Sequence, residues 1–224
     1  MKKKAINQLA LGMFFLTTFI LFTVSLTMVD IQPIGPGGSA VAYAGINKRV
    51  HELLGVNMLL YRITDWAGVA AIMTAFGFAC VGLAQWIKRK RLCKVDSSIL
   101  ALGAFYILVF GVYAYFELHV INYRPILING VLEASYPSST TMLALCVMPT
   151  AMMQFRRLIK NMKLRICVNA LCGLFTAFMV IGRLLCGAHW FTDIFGGMLF
   201  GTAMILLYSS ANSFFPALSF EKRL

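Results

Sequence analysis

Charged residues are scarce in this sequence, and acidic residues are the scarcest of them. Only 12% of the 224 residues are charged, with 8 Asp and Glu against 20 Lys and Arg, whereas 60% are hydrophobic. The mean hydropathy is +0.80. This composition excludes an ordinary soluble domain and is typical of an integral membrane protein. We therefore expect an all-α polytopic membrane protein.

Patterns that would indicate a bound metal or a secreted disulfide framework are also missing. The 6 cysteines have neither metal-ligand spacing nor a disulfide pattern, so we interpret them as small apolar residues. The sequence has no cluster of ligand residues and predicts neither a metal nor another cofactor. It also lacks a soluble domain, a low-complexity tract and a clear repeat, so residues 1–224 are expected to form one membrane-embedded domain.

The net charge of +12 results from basic residues that lie beside apolar runs. Alternate connections between these runs carry the basic residues, as the positive-inside rule requires. The charge therefore predicts membrane topology, and a nucleic-acid partner is not expected. The clusters are Lys2 to Lys4, Lys88 to Lys94, Arg156 to Arg165, and Lys222 with Arg223.

Six apolar runs predict a six-transmembrane-helix bundle with both termini in the cytoplasm. The first run exceeds the hydrophobic stretch of a signal peptide, so we interpret it as an uncleaved span. Residues 31–64 form the first outer connection, in which a short amphipathic helix is expected near Asn47 to Leu54. The compact chain fits a bacterial plasma membrane. The predicted spans are residues 9–29, 66–87, 98–116, 140–153, 166–181 and 190–209.

The stretch from Gly182 to Asp193 places an arginine, a histidine and an aspartate at the edge of an apolar run, where charged groups usually have a function. Arg183 precedes a break at Gly187, so it can face the same pocket as His189 from a different helix. His189 and Asp193 share one helical face, on which the carboxylate can orient the imidazole as a nucleophile or base. The alternative is an aspartate that caps a helix beside an interfacial histidine.

The predicted topology brings a second group of polar residues to the same outer side. Arg124 and Arg183 can each bind two phosphate oxygens, and backbone amides around Ser138, Ser139 and Thr140 can bind others at a helix start. His189 could then attack phosphorus without a metal. A lipid phosphate that enters sideways from the bilayer is the expected substrate.

These segments resemble the signature of the type 2 phosphatidic acid phosphatase superfamily, the lipid phosphate phosphatases. The first motif of the family is a lysine followed, after six residues, by Arg-Pro, and the second motif is Pro-Ser-Gly-His. The third motif is Ser-Arg, then five residues, a histidine, three residues and an aspartate. This chain has Arg124-Pro125, Pro137-Ser138, and the third spacing intact. The resemblance implies that His189 is the nucleophile and Asp193 its partner. It also implies that the phosphate cradle consists of Arg124, Arg183 and the segment around Ser138 and Ser139.

Three polar residues of that signature are replaced in this chain. Glu117 stands in place of the family's lysine, Thr140 in place of the second-motif histidine, and Gly182 in place of the third-motif serine. The missing histidine is the general acid that the family implies, and threonine cannot replace it near neutral pH. The residues that could supply the proton instead are Glu117, His119 and Glu133.

The missing histidine is also compatible with a substrate that needs no general acid, or with loss of catalysis. A polyprenyl diphosphate has a phosphate leaving group with a pKa of about 6, which needs little protonation. Alternatively, the protein is a catalytically impaired lipid-phosphate binder or transporter, or a structural subunit without a ligand. The retained His189 and Asp193 favour catalysis. The oligomeric state stays open because Gly197 and Gly201 can serve packing within one chain or between two.

Overall fold

The computed structural model describes residues 2–214. The predicted basic anchor at Lys222 and Arg223 lies outside the described residues. Long helices dominate this part of the chain, and β-structure within it is limited to isolated bridges. The all-α prediction is therefore confirmed. The α-helices are α1 (Lys2–Ser25), α2 (Ala44–Leu54), α3 (Met58–Arg89), α4 (Ser97–Leu118), α5 (Ser139–Leu158), α6 (Met162–Leu185) and α7 (Phe191–Phe214).

Within residues 2–214, five helices are long and apolar enough to cross a membrane, namely α1, α3, α4, α6 and α7. In four of them most residues of the apolar stretch are not buried within the protein, whereas in α7 56% are buried. In the most apolar stretch of α6, only 6% of the residues are buried. Such a surface requires lipid around it, so the protein is a multi-pass membrane protein.

Helix α5 contains the predicted span 140–153 but is less apolar than the other long helices. It packs between α3, α6 and α7, and its buried side chains include Thr141, Thr150 and Gln154. Its last turn carries Arg156 and Arg157. Since α5 is covered by neighbouring helices, its composition carries a weaker membrane signal. The count of six spans and the cytoplasmic termini stay predictions.

The second long helix, α3, begins at Met58 rather than near the predicted start at Trp66. The side chain of Asn57 accepts a hydrogen bond from the Leu60 N–H at 2.9 Å and caps the helix. Hydropathy places the start too late because Arg62 and Asp65 lie in the first turns. The earlier start places Tyr61, Thr64 and Asp65 together on α3, at the helix end that the predicted topology assigns to the outer side of the membrane.

Helices α5 and α7 approach closely at two glycines. A Cβ atom at Gly201 would lie 2.5 Å from the Leu145 Cβ, and one at Gly197 would lie 3.1 Å from the Ser138 carbonyl oxygen. Both glycines therefore serve packing within the chain. This approach places the beginning of α5 beside Asp193 at the beginning of α7.

Candidate active site

The imidazole of His189 lies between two guanidinium groups. His189 is in the short connection from α6 to α7 and is only 4% exposed. Its Nε2 atom lies 3.1 Å from Nη1 of Arg124 and 3.5 Å from Nη2 of Arg183. The structure thus brings together a histidine and two arginines from separate parts of the chain.

Both arginines are buried, and each has one carboxylate nearby. Arg124 is 8% exposed and Arg183 is 1% exposed. Glu133 lies 3.1 Å from Nε of Arg124, whereas Asp65 lies 3.6 Å from Nη2 of Arg183. The Nε–H groups of both arginines lack an aligned hydrogen-bond acceptor. Two buried cations with unsatisfied donors form a site suited to an anion with several oxygens.

The first turns of α3 complete the walls around the arginines. The ring of Tyr61 lies 5.0 Å from the guanidinium carbon of Arg183 and 5.9 Å from that of Arg124. The hydroxyl of Thr64 accepts a hydrogen bond from Arg183 at 3.4 Å. Sequence patterns did not reveal either residue as part of the site, because hydropathy places both in a connecting segment. Their spacing, together with Asp65, is the helical signal that would have grouped them.

Asp193 does not contact His189 directly. The distance from Nδ1 of His189 to Oδ2 of Asp193 is 3.8 Å, and the hydroxyl of Ser135 lies between them. Asp193 also accepts hydrogen bonds from the Trp190 N–H at 2.8 Å and from the Asn122 side chain at 3.5 Å. The predicted pairing of carboxylate and imidazole is therefore indirect.

The surroundings of His189 favour its neutral form. Burial and the charges of Arg124 and Arg183 lower the pKa of His189 well below its usual value. Guanidinium groups only donate hydrogen bonds, so Nε2 accepts from them when the proton is on Nδ1, and the arginines therefore favour that tautomer. This tautomer leaves the Nε2 lone pair directed toward the arginines.

Residues 112–215 match the family model of the PAP2 superfamily, the type 2 phosphatidic acid phosphatases. The matched segment contains Arg124, Ser138, Arg183, His189 and Asp193, which carry the sequence signature. The resemblance is therefore confirmed. The site-bearing part of this chain is thus similar to the PAP2 superfamily.

A solved PAP2 structure has a similar fold. The chain resembles the crystal structure of a transmembrane PAP2-type phosphatidylglycerolphosphate phosphatase from Bacillus subtilis, with a TM-score of 0.56 and 16% sequence identity. The similarity covers 90% of this chain and 94% of that one. No curated protein matches the sequence significantly. The family match supports a phosphoric ester hydrolase of the membrane lipid phosphatase class.

In the second PAP2 motif, the polar groups of Ser138 that were expected to bind phosphate make hydrogen bonds within the protein. The backbone N–H of Ser138 donates to the Asp193 carbonyl at 3.0 Å, and its hydroxyl donates to Thr141 at 3.1 Å. Both groups are engaged within the protein, so these contacts do not support the predicted phosphate contact at Ser138. Ser139 lines a small cavity that also borders His189. The methyl group of Thr140 lies against Gly68 of α3.

The glycine in the third PAP2 motif has a steric cause. A Cβ atom at Gly182 would lie 2.7 Å from the methyl carbon of Thr64. The serine of the family motif therefore does not fit beside α3 in this chain. Thr64 occupies that space instead and directs its hydroxyl to Arg183. Gly182 thus leaves room for a residue of α3 that contacts Arg183.

The three candidates for the missing acid occupy different environments. Glu117 lines the same cavity as His189, and this cavity of about 10 Å³ has room for roughly one water molecule. Glu133 forms the ion pair with Arg124. His119 is exposed, and its ring stacks on Tyr115 at a centroid distance of 4.4 Å. Of the three, Glu117 is the one that shares a cavity with His189.

Metal ligands are not grouped in the part of the chain that the structure describes. Residues 2–214 contain no group of three or more His, Cys, Asp or Glu side chains arranged to hold a metal ion. Two acidic residues near the site, Glu133 and Asp65, instead lie beside arginines.

We expect Gly187→Ala to lower activity by about 100-fold through displacement of the His189 connection. Gly187 has φ +67, and an added Cβ would collide with the Gly55 carbonyl oxygen. Phosphate release and thermal unfolding in detergent would measure the effect. Gly130→Ala is the matched control because Gly130 has φ +79 with no heavy atom within 4 Å of the new Cβ. Equal losses in both variants would assign the effect to backbone conformation alone.

Proposed function

We propose that the protein removes the terminal phosphate from a membrane lipid through a phosphohistidine intermediate on His189. The supporting observation is the position of Nε2, which faces two buried guanidinium groups at 3.1 and 3.5 Å. A protein that only binds phosphate does not need a neutral imidazole aimed into its cationic site. This arrangement is suited to attack on phosphorus.

In the first step, the Nε2 lone pair attacks phosphorus while Arg124 and Arg183 bind the non-bridging oxygens. The phosphorus–oxygen bond to the lipid breaks. The leaving oxygen of a monoester takes a proton from Glu117, whereas the phosphate that leaves from a diphosphate departs as an anion. The imidazole keeps its Nδ1 proton and becomes cationic. Water then attacks phosphorus and releases a proton to solvent, the phosphorus–nitrogen bond breaks, and its electron pair returns to Nε2. Inorganic phosphate is released, and this sequence requires no metal.

Substrate binding would exchange partners at both arginines. The phosphate oxygens would replace Glu133 beside Arg124 and Asp65 beside Arg183. Asp65 has 56% of its side chain exposed and Glu133 has 40%, so both carboxylates can turn into solvent when displaced. In the unliganded state, the same carboxylates offset the repulsion between the two cations.

We place the site at the outer leaflet. It is formed at the beginnings of α3, α5 and α7 and at the end of α6, whereas the basic clusters Lys88 to Lys94 and Arg156 to Arg165 lie at the opposite helix ends. The positive-inside rule assigns those clusters to the cytoplasm. A lipid headgroup could then reach His189 from the outer half of a plasma membrane, which we infer to be bacterial.

Polyprenyl diphosphates are the substrates that we favour. Their leaving group is a phosphate with a pKa of about 6, so cleavage needs little help from an acid. This property suits a site with Thr140 in place of the family's histidine. For monoesters, whose leaving alcohol must be protonated, we assign the proton to Glu117 across the cavity that it shares with His189.

A lipid panel in detergent tests the function directly. Phosphatidic acid, phosphatidylglycerophosphate, a polyprenyl monophosphate and a polyprenyl diphosphate would each be incubated with the protein in the presence of EDTA. We expect phosphate release that is fastest from the diphosphate. Equal rates from phosphatidic acid and the diphosphate would contradict the substrate preference. Binding without release from any lipid would instead support a lipid-phosphate binder or transporter.

Glu117→Gln is expected to separate the two substrate classes. Loss of the proton donor should lower release from the monophosphates by about 100-fold. Release from the diphosphate should fall much less, because its leaving group needs little protonation. The measurement is the ratio of kcat values for the polyprenyl monophosphate and diphosphate. His119→Gln is the control, since His119 stacks on Tyr115. An unchanged ratio in Glu117→Gln would exclude Glu117 as the donor.

A further inference from the structure

The separation between Asp193 and His189 is too long for a hydrogen bond. Nδ1 of His189 and Oδ2 of Asp193 are 3.8 Å apart, although both residues are buried. A carboxylate at that distance attracts the imidazolium but does not by itself determine which ring nitrogen carries the proton. Another group must therefore hold the ring in the orientation that the reaction needs.

Ser135 is in contact with both residues. Its hydroxyl lies 3.0 Å from Nδ1 of His189 and also makes a short hydrogen bond to Oδ2 of Asp193. Since a carboxylate oxygen only accepts hydrogen bonds, the Ser135 hydroxyl donates one to Asp193. Its oxygen lone pair is then directed to the Nδ1–H of His189. The direction of donation is thus from imidazole to serine to carboxylate.

The position of Ser135 is determined by the surrounding backbone and aromatic residues. Its N–H donates to the Asn122 carbonyl at 2.9 Å, which ties it to the segment that bears Arg124. The neighbouring Tyr136 is 2% exposed, and its hydroxyl lies 2.7 Å from that of Thr23 in α1. Ser135 itself is 3% exposed. The hydroxyl is therefore held in place before substrate binds.

We propose that Ser135 is a positioning residue that couples Asp193 to His189 and keeps the proton on Nδ1. Ser135 acts through the imidazole and does not touch the phosphate. When Nε2 forms its bond to phosphorus, the positive ring keeps its Nδ1–H bond to the serine oxygen. The negative charge of Asp193 stabilises that ring through the same two hydrogen bonds. This role rests on the proposed function of His189 as nucleophile.

Histidine NMR tests the coupling independently of catalysis. The chain has 3 histidines, so ¹⁵N-histidine labelling gives few signals, and the His189→Ala spectrum identifies those of His189. In the full-length protein in detergent, we expect a neutral ring protonated at Nδ1. In Ser135→Ala we expect a substantial population protonated at Nε2. An unchanged tautomer in Ser135→Ala would overturn the proposal, whatever the activity of the protein.

A double-mutant cycle tests whether Ser135 acts through Asp193. We expect Ser135→Ala and Asp193→Asn each to lower kcat by about 100-fold with little change in KM. The double variant should be no slower than the slower single variant, because both changes break one chain of hydrogen bonds. Multiplied losses would mean independent roles and would overturn the proposal.

A control separates positioning from folding. Ser210→Ala also removes a buried serine hydroxyl, which donates to the Ala5 carbonyl at 2.8 Å at the far end of the bundle. We expect it to match Ser135→Ala in thermal stability while keeping full kcat and the wild-type tautomer. If Ser135→Ala is slow with an unchanged tautomer, its effect is structural and the proposal fails. Failure of the proposed function is distinct, since it would appear as full activity in His189→Ala.

Discussion

Replacing His189 with alanine is expected to lower phosphate release by about 10⁴-fold or more, because the nucleophile is lost. The rest of the site would remain, since Arg124 and Arg183 have carboxylate partners that do not depend on the imidazole. Lipid phosphate should therefore still bind. The measurements are phosphate release from the lipid panel and binding of the same lipids by the inactive variant.

A covalent intermediate provides the positive evidence. Brief reaction with a lipid labelled in its terminal phosphate should transfer label to the wild-type protein in an acid-labile, base-stable bond, as expected of a phosphohistidine. His189→Ala should take up no label, whereas His119→Ala should be labelled like the wild type, since its ring stacks on Tyr115. Label on another residue, or full activity of His189→Ala, would contradict the mechanism.

Arg183→Ala is expected to lower kcat by about 10³-fold through loss of a donor to the phosphate in the transition state. Arg183→Lys should recover little of this, because an ammonium group lacks the planar fork that contacts Thr64 and His189 and that we propose to bind the phosphate. Folding should survive, since the carboxylate left without its partner, Asp65, has 56% of its side chain exposed. Steady-state kinetics on the preferred lipid, with thermal unfolding in parallel, would measure both effects.

Arg62→Ala is the matched control for Arg183→Ala. Arg62 lies on α3 beside Tyr61, but its side chain is exposed. Removing it alters the local charge by the same amount without removing a buried donor. We expect near-normal kcat. Equal losses in both variants would indicate a general electrostatic effect, and a rise in KM alone for Arg183→Ala would limit Arg183 to substrate binding.

The sequence was a good guide wherever the signal is local. Apolar runs and flanking basic residues identify a multi-pass helical protein, because burial in lipid requires long apolar segments. Five of the runs correspond to helices long and apolar enough to span a membrane. The spacing of Arg183, His189 and Asp193 indicated the site, because residues this close in the chain stay near one another where α6 connects to α7.

Hydropathy was a poorer guide where the composition of a segment does not reflect how that segment packs. Helix α5 is surrounded by other helices, so its hydropathy does not report its position in the bundle. Hydropathy places the start of α3 too late. Polar residues in the first turns of this helix face the site instead of the lipid, and they lower the hydropathy of that segment. For the same reason Tyr61 and Thr64 were overlooked, although they contact Arg183.

By itself, the sequence determined the membrane class, the site-bearing motifs and the arginines and histidine of the site, each through composition or short spacing. Tertiary structure decided how these groups connect. Ser135 and Asp193 are separated by 58 positions, and Thr64 and Arg183 by 119, yet each pair is in contact. Such contacts arise where the ends of α3, α5, α6 and α7 converge. That convergence depends on how closely whole helices pack, which no local pattern of residues records.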